Sequence, residues 1–180
     1  MANVLDRMAL AFLARHRVAR FATADADGAP HVVPLCYAVA GGCLYFVVDA
    51  KPKRPGGRAL KRMRNIAENP AVALVIDDYD EDWSALAYLL IRGRARVVRD
   101  RRERQRALRA LRARYPQYRS MALAGVEHPV VRITPGHVHL WRAAAASLMG
   151  GRGDGARSPR RAASPDRPTP QRPRAQPPRR

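Results

Sequence analysis

Lysine is nearly missing from this chain. Of 34 basic residues in 180, only Lys51, Lys53 and Lys61 are lysine, and all three fall within one eleven-residue window. Acid is scarce too, with 15 Asp and Glu against those 34 cations, for a net charge of +19. Two cysteines, Cys36 and Cys43, are too few for the disulfide framework of a small secreted domain. They flank an expected hairpin turning at Gly41-Gly42. That turn sets Cys36 opposite Tyr45 or Val47 rather than Cys43, so free thiols and a reducing compartment are expected. No stretch approaches the roughly 20 apolar residues of a membrane span. The first residues lack the continuous apolar run and small-residue cleavage site of a secretory signal. A soluble, cytoplasmic protein with no membrane partner is the expectation.

The usual signatures of chemistry are also missing. There is no glycine-rich dinucleotide fingerprint and no phosphate-binding P-loop. The acidic run Asp77-Asp78-Tyr79-Asp80-Glu81-Asp82 lacks the spaced glycine and glutamate of a calcium loop, so it reads as a solvated or interface loop. His137 and His139 share one side of a strand, but two ligands without a third make a poor metal site. Cys36 has no histidine at a spacing that would activate it. No catalytic acid, base or nucleophile is assigned, and no metal.

What the chain does have is an ordinary apolar fraction, 47%, and a strong excess of arginine. From Gly151 to Arg180 there are nine Arg and two Asp, giving +7 and leaving +12 for residues 1–150. Such an excess suits a nucleic acid, an anionic membrane, a phosphorylated small molecule or simply a solvated surface. Beyond Ser147 the composition is mostly Arg, Pro, Ala, Gly and Ser, with almost no large apolar residue. Residues 147–180 are therefore expected as a disordered tail, and residues 1–146 as one globular domain.

Within that domain the patterns alternate between helix and strand. Leu5, Met8, Ala9, Phe12 and Leu13 have helical spacing over 4–16, with Asn3 as a candidate N-cap. Val18–Thr23, His31–Val39 and Cys43–Val48, separated by Asp27-Gly28 and Gly41-Gly42, are expected as a three-stranded meander. Pro34 marks a bulge or an edge in its middle strand. A helix over 58–68 with Leu60, Met63, Ile66 and Ala67 inward ends at Asn69-Pro70. Ala71–Ile76 reads as a central strand buried on both faces, and Leu86–Val98 as a long strand bent at Gly93. A charged helix over 100–114 with an Ala107, Leu108 and Leu111 edge follows. Two last strands, 130–134 and 137–141, are expected around a Pro135-Gly136 turn. Six or seven mostly antiparallel strands with flanking helices define a mainly β, α+β fold, a small barrel.

The one segment with the look of a site is Val48-Asp49-Ala50-Lys51-Pro52-Lys53-Arg54, with Arg58 just beyond. It leaves a strand, holds three cations in four residues and opens a helix, whose N-terminus favours an anion. Cations concentrated at one point suit the phosphate of a nucleotide-like cofactor better than an extended nucleic-acid backbone.

The order of segments carries a resemblance. Residues 17–34, Val48–Arg54 and Asn65-Ile66-Ala67-Glu68-Asn69-Pro70 resemble the pyridoxamine-phosphate-oxidase-like split barrels, the FMN-binding split-barrel type. Tyr79-Asp80-Glu81-Asp82-Trp83 and Ala113-Arg114-Tyr115-Pro116-Gln117-Tyr118 are similar to the branch of F420-dependent oxidoreductases. The resemblance spans about Leu5 to Arg142. It implies a homodimer with a cofactor in each inter-subunit groove, either the deazaflavin coenzyme F420 or, as the alternative, FMN. It places the flavin ring along Pro34, Leu35 and Cys36, and the ribityl chain and phosphate on Val48, Asp49, Lys51, Lys53, Arg54 and Arg58. Trp141 would border the ring. The implied activity is hydride transfer between the cofactor and a small organic substrate. The chain departs from the branch at Ala87 and Tyr88, where bulkier aromatics are expected. Two readings of other classes stand beside it: a binding module that carries cofactor without turnover, and nonspecific, salt-sensitive nucleic-acid binding by the tail. The second is disfavoured because residues 148–180 contain no aromatic side chain for base stacking.

Overall fold

The computed structural model describes residues 4–49, 60–123, 125 and 128–143. Lys51, Lys53, Arg54 and Arg58, the candidate cap Asn3 and the tail from 147 onward lie outside the described residues. Three helices, α1 (Arg7–Arg15), α2 (Lys61–Glu68) and α3 (Arg101–Arg114), accompany seven strands. The strands are β1 (Val18–Ala24), β2 (Pro30–Cys36), β3 (Ala38–Ala40), β4 (Cys43–Val47), β5 (Ala71–Asp78), β6 (Ala87–Val97) and β7 (Val130–Arg142). Single 3₁₀ turns occupy Trp83–Ala85 and Pro116–Arg119.

All seven strands pair antiparallel in one sheet with the order β2-β1-β5-β6-β7-β4-β3. The sheet curls into the half-open barrel of a split-barrel α+β fold. The simple meander expected for the first strands does not form. The run from His31 to Val39 is broken at Tyr37, so β2 pairs with β1 at one edge while β3 pairs with β4 at the other. The cause is a side chain from far along the sequence. The Tyr37 N–H donates to the Tyr115 hydroxyl (3.1 Å), and that hydroxyl donates to the Tyr37 carbonyl (2.8 Å). Both backbone groups are thereby satisfied without a neighbouring strand. Pro34, which has no N–H, sits on the outermost strand, as its chemistry requires.

The last two expected strands are one. β7 runs unbroken through Pro135-Gly136, and the β6–β7 register shifts between Arg92 and Gly93. Here proline and glycine make a bulge rather than a turn. The bend expected at Gly93 falls at this shift. A Cβ on Gly93 would stand 2.2 Å from the Thr134 carbonyl oxygen, so only glycine lets the two backbones approach.

Inside the curl, Phe21, Leu74, Leu89, Ile91, Val131 and Ile133 are essentially inaccessible, and α1 adds Leu5, Ala9, Phe12 and Leu13. α1 begins at Asp6, whose carboxylate accepts from the Ala9 N–H at 2.7 Å. Met8, expected inward, is 54% exposed. In α2 Asn65 and Ile66 are buried, Leu60 and Met63 pack against the core as expected, and Ala67 faces out. Asn65 Nδ2 donates to the Thr23 hydroxyl (3.0 Å), fastening α2 to β1. A second cluster lies outside the curl, where Ala107, Leu108 and Leu111 of α3 cover Ala38, Cys43, Tyr45 and Val47. β5 was expected to be buried on both faces. Val72, Leu74 and Ile76 are buried, but Ala73 and Val75 on its outer face are only half-covered in this chain.

Candidate cofactor site

Two strand ends lie near Tyr118, and the second of them, at Asp49, also lies near Arg62 of α2. β2 ends at Cys36, a half-buried free thiol, and the chain leaves β4 through Val48 and Asp49. The β4 end is held firmly. The Val48 N–H donates to the Pro129 carbonyl (3.0 Å), and its carbonyl lies 3.0 Å from His128 Nδ1. Val48 is buried, whereas Asp49 is only partly so.

The 3₁₀ turn after α3 brings Tyr118 into the same neighbourhood. Burial pushes its phenol above the ordinary tyrosine range, and Cys36, Asp49 and Tyr115 push it the same way. Tyr118 therefore lies within electrostatic reach of both strand ends. Its ring packs edge-on to Tyr115 at 5.6 Å. In the first turn of α2, burial lowers the Arg62 guanidinium while nearby Asp49 opposes that shift. The Arg62 Nε is buried without a hydrogen-bond partner among the described residues. An orphaned, partly dehydrated N–H beside a strand end is what an incoming anion, such as a phosphate oxygen, would satisfy.

The predicted residues divide accordingly. Cys36 and Asp49 act on the same phenol, and Val48 anchors the second of them. Leu35 points inward against the main core, opposite Ala19. Pro34 faces outward, opposite Arg20. Trp141 stands on the outer face of β7, 39% exposed and stacked on Tyr88 at 5.4 Å, with His139 6.1 Å from Tyr88. Lys61, one of the three clustered lysines, serves elsewhere: its Nζ sits 2.5 Å from Asp25, tying α2 to the β1–β2 turn. Arg62 and Tyr118 were missed as site residues. The signal for Arg62 was its place in the first turn of the helix after the basic loop. Tyr118 closes the Ala113-Arg114-Tyr115-Pro116-Gln117-Tyr118 motif, whose residue types carry no mark of a binding role.

His137 and His139 share the outer face of β7, and both are exposed in the single chain. Among the described residues no group of three His, Cys, Asp or Glu is placed to hold a metal. No helix of the described residues is long and apolar enough to cross a membrane. The acidic loop is exposed at Tyr79 (71%) and Trp83 (59%), and Asp82 caps its 3₁₀ turn by accepting from the Ser84 N–H (2.9 Å) and hydroxyl (2.7 Å).

A curled antiparallel sheet with a cation-bearing segment leaving β4 defines a split-barrel protein of the flavin-binding type. Comparison with family models makes that specific: residues 5–142 match the pyridoxamine 5'-phosphate oxidase family, and the chain belongs to it. Among solved structures it is similar to the conserved hypothetical protein Rv2991 from Mycobacterium tuberculosis, with 22% identity and a TM-score of 0.61 over 86% of this chain and 96% of that one. It is also similar to HutZ, the haem storage protein from Vibrio cholerae, with 17% identity and a TM-score of 0.60 over 77% and 94% of the two chains. A FAD-binding protein from Mesorhizobium loti matches with 27% identity and a TM-score of 0.53 over 72% of this chain and 88% of that one. No curated protein matches the chain.

Proposed function

We propose that this protein is a cytoplasmic, homodimeric oxidoreductase that binds coenzyme F420, with FMN as the alternative, and acts on a small organic substrate. The observation that carries the reading is the buried Arg62 Nε near Asp49, which lacks a partner among the described residues, at the start of the helix that follows the lysine-bearing segment. Arg62, Lys51, Lys53, Arg54 and Arg58 are the residues suited to the phosphate end, with Cys36 and Tyr118 toward the ring. Bound there, a flavin-type cofactor supplies hydride transfer. The chain's own part is to place and enclose it: Val48 is fixed by two backbone bonds, and Tyr118 keeps its proton well above neutral pH. A neutral phenol can donate a hydrogen bond to a ring heteroatom without adding charge.

Pairing of two chains is supported by the outer sheet face. Val18 is 46% and Val32 59% exposed, and Trp141, Tyr88, Leu90 and Val75 continue the same face through the strand register. The same register sets Arg20, Asp77, Arg92, His137 and His139 among these side chains, and a face that mixes large apolar groups with charged ones suits an interface. Light scattering should give a dimer of the 20.0 kDa chain, and Trp141→Glu should shift it to monomer; a wild-type monomer at all concentrations overturns the pairing.

A second reading is haem binding, favoured by exposed His139 beside Tyr88 and Trp141 on that face. One experiment separates the readings: side-by-side absorbance and fluorescence titration with F420, FMN and haemin. F420 is expected to bind at micromolar concentration, and Lys53→Ala and Arg62→Gln each to weaken it by about tenfold, the value of one charge-assisted phosphate contact. Unchanged F420 fluorescence and polarisation would reject the leading reading, whereas a haemin Soret shift lost in His139→Ala would establish the second. Sustained turnover with reduced F420 and a panel of acceptors distinguishes an enzyme from a carrier.

A further inference from the structure

A cleft of about 490 Å³ opens between α1, β3 and α3, on elements that the cofactor reading does not use. That volume lies within the range of about 300–1,000 Å³ typical of small-molecule sites. Leu13, Val39 and Ala110 make its walls apolar, and Leu10, 36% exposed, forms part of its lining. Alanines at 14 and 113 leave the space open where longer side chains would fill it.

Against this apolar lining stand two cations, Arg17 and Arg114. Each guanidinium carbon lies 5.8 Å from the centroid of the Tyr115 ring, so two like charges share one aromatic neighbour. Their hydrogen bonds go to neutral oxygens. Arg17 donates to the Arg114 carbonyl; Arg114 donates to the carbonyls of Leu13 (2.7 Å) and His16, and through Nε to the Tyr115 hydroxyl (3.2 Å). A guanidinium has five N–H donors. These bonds occupy one on Arg17 and three on Arg114, leaving donors on both. Among the described residues the carboxylates pair with Arg15, His16, Arg20, Lys61, Arg96 and Arg132, not with these two. Arg17 is exposed and Arg114 half-buried, and two like charges around one tyrosine ring, with no carboxylate on either among the described residues, repel each other. An anion between them removes that penalty, and the planar forks suit a carboxylate.

We propose that this cleft binds a small molecule with an apolar tail and a carboxylate head, the tail along Leu13, Val39 and Ala110 and the head between Arg17 and Arg114. The proposal stands independently of the cofactor reading. Its test is calorimetric titration of the full-length protein with octanoate, octanol and acetate. Octanoate is expected to bind with a sub-millimolar Kd, with octanol and acetate each at least about tenfold weaker, since each lacks one half of the recognition. Arg17→Gln should weaken octanoate by at least about fivefold and leave octanol unchanged. Ala14→Trp, at an exposed helical position, should fill the space and abolish octanoate binding with the circular dichroism spectrum retained. Absence of octanoate binding at about 10 mM, equal affinity for octanol, or full binding by a folded Ala14→Trp protein would each overturn the proposal.

Discussion

The two hydrophobic clusters are stabilised in different ways. The interior of the curled sheet is almost purely apolar: Phe21, Leu74, Leu89, Ile91, Val131 and Ile133 interdigitate with α1, and stability there follows buried area. The cluster beneath α3 is threaded with polar groups, most of them paired, with the buried Arg132 Nε lacking a partner among the described residues. Tyr45 donates to Glu103 (3.1 Å), and Glu103 also accepts from Arg96 (2.8 Å) and Arg132 (3.4 Å). Tyr115 and Arg114 close off the carbonyls of Leu13, His16, Arg17 and Tyr37. The interior sets the fold, while the α3 side fixes where strands end. Cys36, Asp49 and Tyr118 gather on that second side. Placing a site depends here on hydrogen-bond geometry more than on apolar area.

The contrast can be tested by substitution. Leu89→Ala should be the most damaging, at about 3 kcal/mol, because it opens a cavity in a close-packed interior. Urea denaturation would measure this, and ligand affinity in the remaining folded protein should be unchanged. Tyr115→Phe removes one hydroxyl and strands the Tyr37 N–H together with the proton shared between the Arg17 and Tyr37 carbonyls, at about 2 kcal/mol. Unlike the leucine change, it should also weaken cofactor binding, since it loosens the break between β2 and β3. If both variants changed affinity equally, the division between the two clusters would be wrong.

Glu103→Gln should cost least at neutral pH, about 1–2 kcal/mol, because its arginine partners are partly solvated. It should also alter the pH dependence. Burial alone would raise the Glu103 carboxyl, but the bonds from Arg96 and Tyr45 and the charges of Arg96 and Arg132 outweigh it and hold the group below the usual glutamate range. A carboxyl lowered on folding adds stability above its unfolded pKa, near 4.3, and loses it as pH falls through the folded value. Wild type should therefore lose stability on acidification below about pH 4.5 more steeply than Glu103→Gln. Parallel curves would remove Glu103 from the account.

Much of the fold was legible because local chemistry and tertiary context agreed. The alternation through β1, the apolar run of β5, the Ala107, Leu108 and Leu111 edge of α3 and the glycine at the β6 bend were all readable from spacing. Where the reading failed, the deciding partner was distant. The break at Tyr37 depends on Tyr115, 78 residues later. The Pro135-Gly136 pair looked like a turn because nothing local reveals that β6 lies opposite it through both halves of β7. At the site, the strand ends were legible from the motif order. Arg62 was not, because a lone arginine among 31 carries no local mark of having an unsatisfied buried nitrogen.

The single stretch from Pro30 to Ala40 supplies both outermost strands of the sheet, and this has a consequence for biosynthesis. The β1–β2 hairpin pairs neighbours and can form as soon as it leaves the ribosome. Beyond itself, the β3–β4 ribbon finds its strand partner in β7, some 85 residues downstream. During translation that ribbon must wait with a naked flank until Val130 has emerged, so any nascent chain halted before β7 presents a strand edge ready to pair with the wrong molecule.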